Sequence, residues 1–126
     1  MKAAPSRPLL VIHSEAATGF GGQEHRILKE MRGMRERGHQ MEAICQPGSG
    51  LFCRLTDEGF TVHPLSMYGS VNYVKGVYRV WRLLSSRQYD VINTHSRRDT
   101  VIAAAAARLA GTPLICLLYT SDAADE

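Results

Sequence analysis

The sequence lacks the features that mark several special classes of protein. No apolar run in its 126 residues is long enough to span a bilayer, and the run at residues 9–12 is too short for a signal peptide. Its three cysteines form neither a CxxC pair nor a zinc-type spacing with histidine, and an odd number cannot close a full set of disulfides. We therefore expect a cytoplasmic protein with no metal site, whose cysteines pack as small apolar residues.

The sequence also has little net charge. Its 15 lysines and arginines exceed its 12 acidic residues by three, and 44% of its residues are hydrophobic. This is the balance of an ordinary globular domain, and the length fits one such domain. The small positive excess is compatible with an anionic substrate or an anionic membrane surface, and no basic cluster indicates a nucleic acid partner.

What the sequence does contain is a regular alternation of strand-like and helix-like segments. Short aliphatic runs predict strands at 8–13, 40–45, 60–65, 89–94 and 114–118, and helical spacing predicts helices at 23–37, 51–58, 73–86 and 99–110. Helices between successive strands indicate right-handed crossovers and a Rossmann-like, doubly wound parallel sheet. Ligands of such sheets bind at the carboxyl ends of the strands where the chain order reverses. The loops after His13 and Thr94 are therefore the predicted ligand-binding loops.

The loop after the first strand is rich in glycine. Gly21 and Gly22 precede Gln23 at the predicted start of the first helix, where main-chain N–H groups can approach an anion. Glu24 occupies the place of the third glycine of a GxGxxG motif, no Lys-Ser/Thr follows, and no acidic residue closes the second strand. These departures disfavour a dinucleotide oxidoreductase and a P-loop. We predict a loop that faces a phosphate or sugar, with a plain flexible connection as the alternative.

The loop after the fourth strand carries the second group of candidates. His95 lies at the predicted switch point, where an imidazole can hydrogen-bond a hydroxyl or phosphate oxygen, and Arg97 can face an anion. Ser96 and Asp99 are candidates for substrate binding, but they can equally form a helix cap. His13, at the end of the first strand, is open between a functional and a structural role.

One helix carries a basic face beside aromatic residues. Lys75, Arg79 and Arg82 lie near Tyr78 and Trp81 on the third predicted helix. A solvated face over an ordinary apolar stripe explains the pattern, and a contact with a membrane surface is the alternative.

These segments in their order resemble the N-terminal domain of family-4 glycosyltransferases. The similar segments are VIHSE at 11–15, GGQE at 21–24, MRERGH at 34–39, CQPGS at 45–49 and YDVINTHS at 89–96. The resemblance implies one Rossmann-like half of a GT-B enzyme, which transfers a sugar from a nucleotide-sugar to a lipid, polysaccharide or glycan acceptor with retention. It implies no cofactor, because the nucleotide-sugar is a substrate.

The resemblance also assigns residues. Gly21 and Gly22 match the family's glycine-rich loop beside the donor phosphates, and His95 matches the histidine that contacts the transferred sugar. The polar positions that follow match Ser96 to Asp99. Many members have a second histidine two residues before His95, where this chain has Asn93, so we assign Asn93 no catalytic role.

The resemblance covers the acceptor-side half of such an enzyme. We expect residues 1–115 to form this domain, a C-terminal domain to hold most of the nucleotide-sugar, and the chain alone to be inactive. Residues 116–126 resemble the translation of a sequencing adaptor, so we expect them to be a non-native tail. The alternatives are a stand-alone nucleotide- or phosphate-binding module and a non-catalytic scaffold half.

Overall fold

The chain folds by strict alternation of strands and helices. In the computed structural model, which describes residues 7–116, the elements are β1 (Leu10–Glu15), α1 (Gly22–Glu36), β2 (Gln40–Cys45), α2 (Gly50–Asp57), β3 (Thr61–Pro64), α3 (Ser70–Ser86), β4 (Val91–Thr94), α4 (Arg97–Ala110) and β5 (Leu114–Cys116). The predicted order of elements is confirmed. Of the expected tail at 116–126, only Cys116 lies within the described residues, where it closes β5.

The five strands form one parallel sheet in the order β3-β2-β1-β4-β5. The chain moves outward from β1 through β2 to β3, and then returns across the sheet to β4 on the other side of β1. This reversal is the switch point of a doubly wound sheet, and right-handed crossovers place the helices of the two halves on opposite faces. The predicted Rossmann-like fold is therefore confirmed.

Two apolar clusters, one on each face, hold the helices on the sheet. Helices α1 and α2 pack on the face that contains Val11, and α3 and α4 pack on the face that contains Ile12. Burial on both faces explains why the strands are continuous aliphatic runs rather than alternating ones. Helix α4 contributes Ala103, Ala106 and Ala107, which are at most 3% exposed, and these small side chains let it approach the sheet closely.

The main difference from the predicted boundaries concerns β1. The polar residues Ser14 and Glu15 were expected in a loop, but they pair with Ile44 and Cys45 of β2 and extend the strand. They are 2% and 1% exposed, so polar side chains are buried here because other protein groups satisfy them. His13 is therefore an interior residue of the strand. Similarly, α4 begins at Arg97 rather than at Asp99, and α3 begins at Ser70 rather than at residue 73.

Candidate functional site

The candidate site is a cavity beside the switch point of the sheet. It has a volume of about 850 Å³ and lies between α1 and the strands β1, β4 and β5. His13 and Asn93 line it from β1 and β4, and Gly22, His25 and Arg26 line it from the first turns of α1. The strand residues nearer the amino end of the sheet are apolar, charged side chains of α1 and its C-cap border the cavity along its length, and His13 and Asn93 face it from the strands. This combination is typical of a ligand site.

Two histidines and an arginine form a continuous chain of contacts at this edge. His13 Nδ1 lies 2.8 Å from His95 Nε2, and the two rings are nearly parallel with centroids 5.0 Å apart. Arg26 Nη2 lies 3.3 Å from Nδ1 of His95. His95 has no exposed surface, whereas His13 is 3% exposed and lines the cavity. His95 therefore lies behind His13 as seen from the cavity.

Both imidazoles are uncharged at neutral pH. Burial, followed by the nearby charge of Arg26, lowers the pKa of His13 to about 4. Burial, then the His13 ring and the charge of Arg26, lowers the pKa of His95 to about 3. A neutral imidazole donates through one ring nitrogen and accepts through the other, so the pair offers directional hydrogen bonds without fixed charge.

Asp99 holds the His95 loop against β1. Its carboxylate accepts from the hydroxyl of Ser14 at 2.5 Å and from the main-chain N–H groups of His95 and Ser96 at 3.2 and 2.9 Å. The Ser96 hydroxyl donates to it as well. Burial raises the pKa of Asp99, and these hydrogen bonds oppose that rise. Asp99 thus connects the start of α4 to the end of β1 and fixes the position of His95.

The glycine-rich loop is held by two buried carboxylates. Gly21 N–H donates to Glu24 at 2.7 Å, and the amide of Gln23 donates to Glu15. Glu15 also accepts from Ala17 N–H at 2.9 Å, and burial is the main cause that raises its pKa. The loop therefore leaves the first turn of α1, at Gly22, facing the cavity.

The predicted site residues divide between contact with the cavity and support of it. Gly22 lines the cavity and Gly21 precedes it at the start of α1, while Gln23, Ser96 and Asp99 hydrogen-bond within the protein. Ser96 is the N-cap residue of α4, which is the alternative role that the sequence analysis gave it. Contact of these residues, and of His95, with a substrate stays a prediction.

Arg97 is the predicted site residue that the fold separates from this cavity. Its side chain is exposed and lines another cavity of about 390 Å³, together with Tyr73, Arg98 and Val101. The orientation of α4 about its own axis explains this placement of Arg97, because successive residues of a helical turn point to different sides of the helix. A role for Arg97 in the main cavity would require a substrate that spans the edge of the sheet.

The structure adds Arg26, which the sequence did not single out, and places Asn93, to which the sequence assigned no catalytic role, at the cavity. Arg26 lies one helical turn after Gly22, so the two share the face of α1 that lines the cavity. Asn93 is the register partner of His13 in the β1–β4 pairing, and its Oδ1 is buried without a hydrogen-bond partner in the described part of the chain. The i,i+4 spacing from Gly22 is the sequence signal that could have indicated Arg26.

Residues 7–116 contain neither a cluster of metal-ligand side chains nor a membrane-spanning helix. Within this range no three histidine, cysteine or acidic side chains come together as metal ligands. Over the same range, no helix is both long and apolar enough to cross a bilayer.

Comparison with known proteins places the chain in a family. Residues 21–126 match the family model of the glycosyl transferase 4-like domain. The chain is 27% identical over 123 residues to the UDP-Gal:alpha-D-GlcNAc-diphosphoundecaprenol alpha-1,3-galactosyltransferase of Escherichia coli. That match covers 95% of this chain but only 31% of the relative, so the chain spans about a third of the relative's length.

Solved structures share the fold at low sequence identity. The MurG structure from Acinetobacter baumannii superposes with a TM-score of 0.74 at 17% identity, covering 93% of this chain and 38% of MurG. HepE of Anabaena, solved in complex with UDP and glucose, has a TM-score of 0.67 at 18% identity, covering 84% of this chain and 28% of HepE. The chain therefore belongs to the glycosyl transferase 4-like family and has the fold of the N-terminal domain of GT-B glycosyltransferases.

Proposed function

We propose that this chain is the acceptor-side domain of a retaining glycosyltransferase, which moves a sugar from a nucleotide-sugar to a lipid, polysaccharide or glycan acceptor. The observation that carries the proposal is the family match over residues 21–126, together with a cavity at the switch point of the sheet that His13, Asn93 and Arg26 line. In this fold the carboxyl edge of the strands is where ligands bind.

The chemistry of the cavity suits the substrates of such a reaction. Sugars present hydroxyl groups and nucleotide-sugars present phosphate oxygens, and both accept hydrogen bonds. His13, which is supported by His95, and the first turn of α1 supply donors at the carboxyl edge, and Arg26 supplies a positive charge. Fixed donors aimed at developing charge stabilise a transition state without the cost of reorganising solvent.

The donor and the second domain are proposed from the relatives. The galactosyltransferase of Escherichia coli is named for UDP-Gal, and HepE was solved with UDP and glucose. We propose a UDP-sugar donor that is held mainly by a C-terminal domain, since this chain matches less than two fifths of each compared protein. On this proposal the chain alone does not turn over substrate, and neither a cofactor nor a metal takes part.

The acceptor is proposed to be lipid-linked, as the name of the Escherichia coli relative states for that enzyme. Helix α3 offers a surface suited to lipid headgroups: Val71, Val74 and Tyr78 are 66%, 66% and 53% exposed. Lys75 and Arg82 are exposed on the same helix, which contains no acidic residue. Exposed aromatic and aliphatic groups beside cations favour a peripheral contact with an anionic membrane at its cytoplasmic face.

Vesicle flotation tests the membrane contact. The chain should float with vesicles of phosphatidylcholine and phosphatidylglycerol and not with phosphatidylcholine alone. The double variant K75E/R82E should lose this binding, and K29E on α1 should keep it. Equal flotation of K75E/R82E and the unchanged chain would show that α3 is not the membrane surface.

A transfer assay tests the activity. The longest reading frame that contains this chain should transfer radiolabelled sugar from UDP-hexoses to undecaprenyl-diphosphate-linked N-acetylglucosamine, with and without EDTA. His95→Ala should lower turnover by about 100-fold, the usual scale for loss of one positioned polar group. His39→Ala is the matched control, because His39 precedes β2 at the amino ends of the strands, where its Nδ1 accepts a hydrogen bond from Leu9 N–H.

Several outcomes would contradict the proposal. If His95→Ala turned over substrate as fast as the unchanged protein, His95 would not be part of the active site. A reading frame that ends near residue 126 and encodes no second domain would favour a stand-alone binding module. If transfer strictly required a divalent cation, the proposal that no metal takes part would be wrong.

A further inference from the structure

The contacts of Arg26 determine which ring nitrogens carry hydrogen. A guanidinium has donors and no acceptor, so Nδ1 of His95, 3.3 Å from Arg26, accepts. The neutral His95 ring then carries its hydrogen on Nε2, which donates to Nδ1 of His13 at 2.8 Å. His13, also neutral, must therefore carry its own hydrogen on Nε2. Three residues thus form a hydrogen-bond chain with a single direction.

This direction decides what His13 can offer to the cavity. His13 lines the cavity, and no protein partner within residues 7–116 takes its Nε2–H. If these hydrogen bonds ran in the opposite direction, His13 Nε2 would present a lone pair and could act as a base. With the direction set by Arg26 it is a donor only. Arg26, one helical turn from Gly22, thus acts on His13 through the ring of His95.

An unpartnered acceptor lies beside this donor. His13 and Asn93 are paired across β1 and β4, so their side chains project to the same face of the sheet, and both line the cavity. Asn93 Oδ1 is buried and has no partner among the described residues. A buried carbonyl oxygen without a partner is costly, which is an arrangement expected where a ligand supplies the missing donor.

We propose that Arg26, acting through His95, fixes His13 as an N–H donor, and that His13 Nε2–H and Asn93 Oδ1 together bind one hydroxyl group of a sugar substrate. A hydroxyl satisfies both partners because it accepts from His13 and donates to Asn93, whereas a phosphate oxygen can only accept. The nature of the substrate rests on the function proposed above. Arg26 and His95 are positioning residues for His13.

Nitrogen-15 NMR of the imidazoles tests the direction of these hydrogen bonds and needs no activity assay. In the unchanged chain at pH 7, both His13 and His95 should show a protonated Nε2 and an unprotonated Nδ1. In Arg26→Met, which keeps the length of the side chain but removes the donor, His13 should populate both tautomers. Arg26→Lys keeps a cationic donor and should retain the Nε2–H form. Arg37→Met, at the C-cap of the same helix, is the matched control.

His95→Gln provides a conservative test of the positioning role. The glutamine carboxamide can accept from Arg26 through its oxygen and donate to His13 through its nitrogen, so it should preserve the tautomer of His13. His95→Leu can do neither, and His13 should then populate both tautomers. A His13 that carries its hydrogen on Nδ1 in the unchanged chain would overturn the inference. A tautomer unaffected by both Arg26→Met and His95→Leu would overturn it as well.

Kinetics of the longer protein test the hydroxyl contact. His13→Leu and Asn93→Leu should each lower kcat/KM by about 30-fold, the scale of losing a hydrogen bond to a substrate hydroxyl. Because one hydroxyl is shared, the double variant should be about as impaired as either single variant, whereas independent contacts would multiply their losses. His95→Gln should be at least ten-fold more active than His95→Leu.

The outcomes separate this inference from the proposed function. A longer protein that transfers sugar, but whose His13→Leu and Asn93→Leu losses multiply or are absent, would refute the shared hydroxyl and leave the transferase intact. A longer protein with no transferase activity would refute the proposed function and the sugar hydroxyl with it, and the NMR result would still decide whether Arg26 sets the tautomer.

Discussion

Acidification from pH 7 to pH 5 should destabilise this fold through His13 and His95. Burial of the neutral rings lowers their pKa values to about 4 and about 3, from 6.5 for an unhindered imidazole. Between these values and pH 6.5 the unfolded chain binds protons that the folded chain excludes, so stability falls as pH falls. Above about pH 6.5 the rings are neutral in both the folded and the unfolded chain, so no stability is lost through them.

The size of the effect follows from the shifts. At pH 5 each histidine is protonated in the unfolded chain and neutral in the folded one, which costs about 2 kcal/mol per histidine relative to pH 7. The pair therefore removes about 4 kcal/mol, a large part of the about 5–15 kcal/mol that stabilises a typical domain. The raised pKa values of Glu15 and Asp99 act in the opposite direction, because folding favours their protonated forms.

Urea unfolding monitored by circular dichroism at pH 7 and pH 5 measures this loss. With an m-value of about 2 kcal/mol per molar, the midpoint should fall by about 2 M. The double variant His13→Gln/His95→Gln cannot titrate in this range and keeps the neighbouring acidic residues, so it is the matched control and should lose much less stability between the two pH values. An equal loss in both proteins would refute the assignment of buried neutral rings.

Three further perturbations test parts of the structure outside the histidine pair. Gly50→Ala should cost about 1–3 kcal/mol of stability by thermal unfolding, because its Cβ would lie 2.7 Å from Phe20 Cβ, whereas Gly33→Ala, with nothing within 4 Å, should gain about 1 kcal/mol; equal effects would contradict the close approach. Glu42 of β2 is buried and accepts a 2.6 Å hydrogen bond from the hydroxyl of the buried Tyr89. Glu42→Leu should lose about 3 kcal/mol in urea titration because that hydroxyl is left without its acceptor, and Glu42→Gln should lose less; equal losses would contradict the importance of this hydrogen bond. Asp99→Ala should lose about 3 kcal/mol, with faster hydrogen exchange at the start of α4, since it deprives two main-chain N–H groups of their acceptor; unchanged exchange there would contradict its supporting role.

The sequence alone was sufficient for the architecture. Aliphatic runs separated by helical periodicity predicted the strands and helices of residues 7–116 in order, because strands that are buried on both faces of a parallel sheet are continuous apolar runs. Gly38 and Gly111 marked the ends of α1 and α4, and both have positive φ angles, 94° and 77°, that other residues rarely adopt. The switch-point rule then indicated the edge at which the cavity is found.

The roles of individual side chains at that edge were decided by tertiary contacts. Sequence position ranked His95 above His13, but only the packing of α1 against the sheet shows that His95 is enclosed and that His13 lines the cavity. Arg26 carried no motif, and its effect depends on a 3.3 Å contact with a residue 69 positions away. Local patterns encode which segments are buried, whereas the direction of a hydrogen-bond chain depends on side chains brought together by three separate elements. For this reason the fold followed from the sequence, and the chemistry of the site followed from the structure.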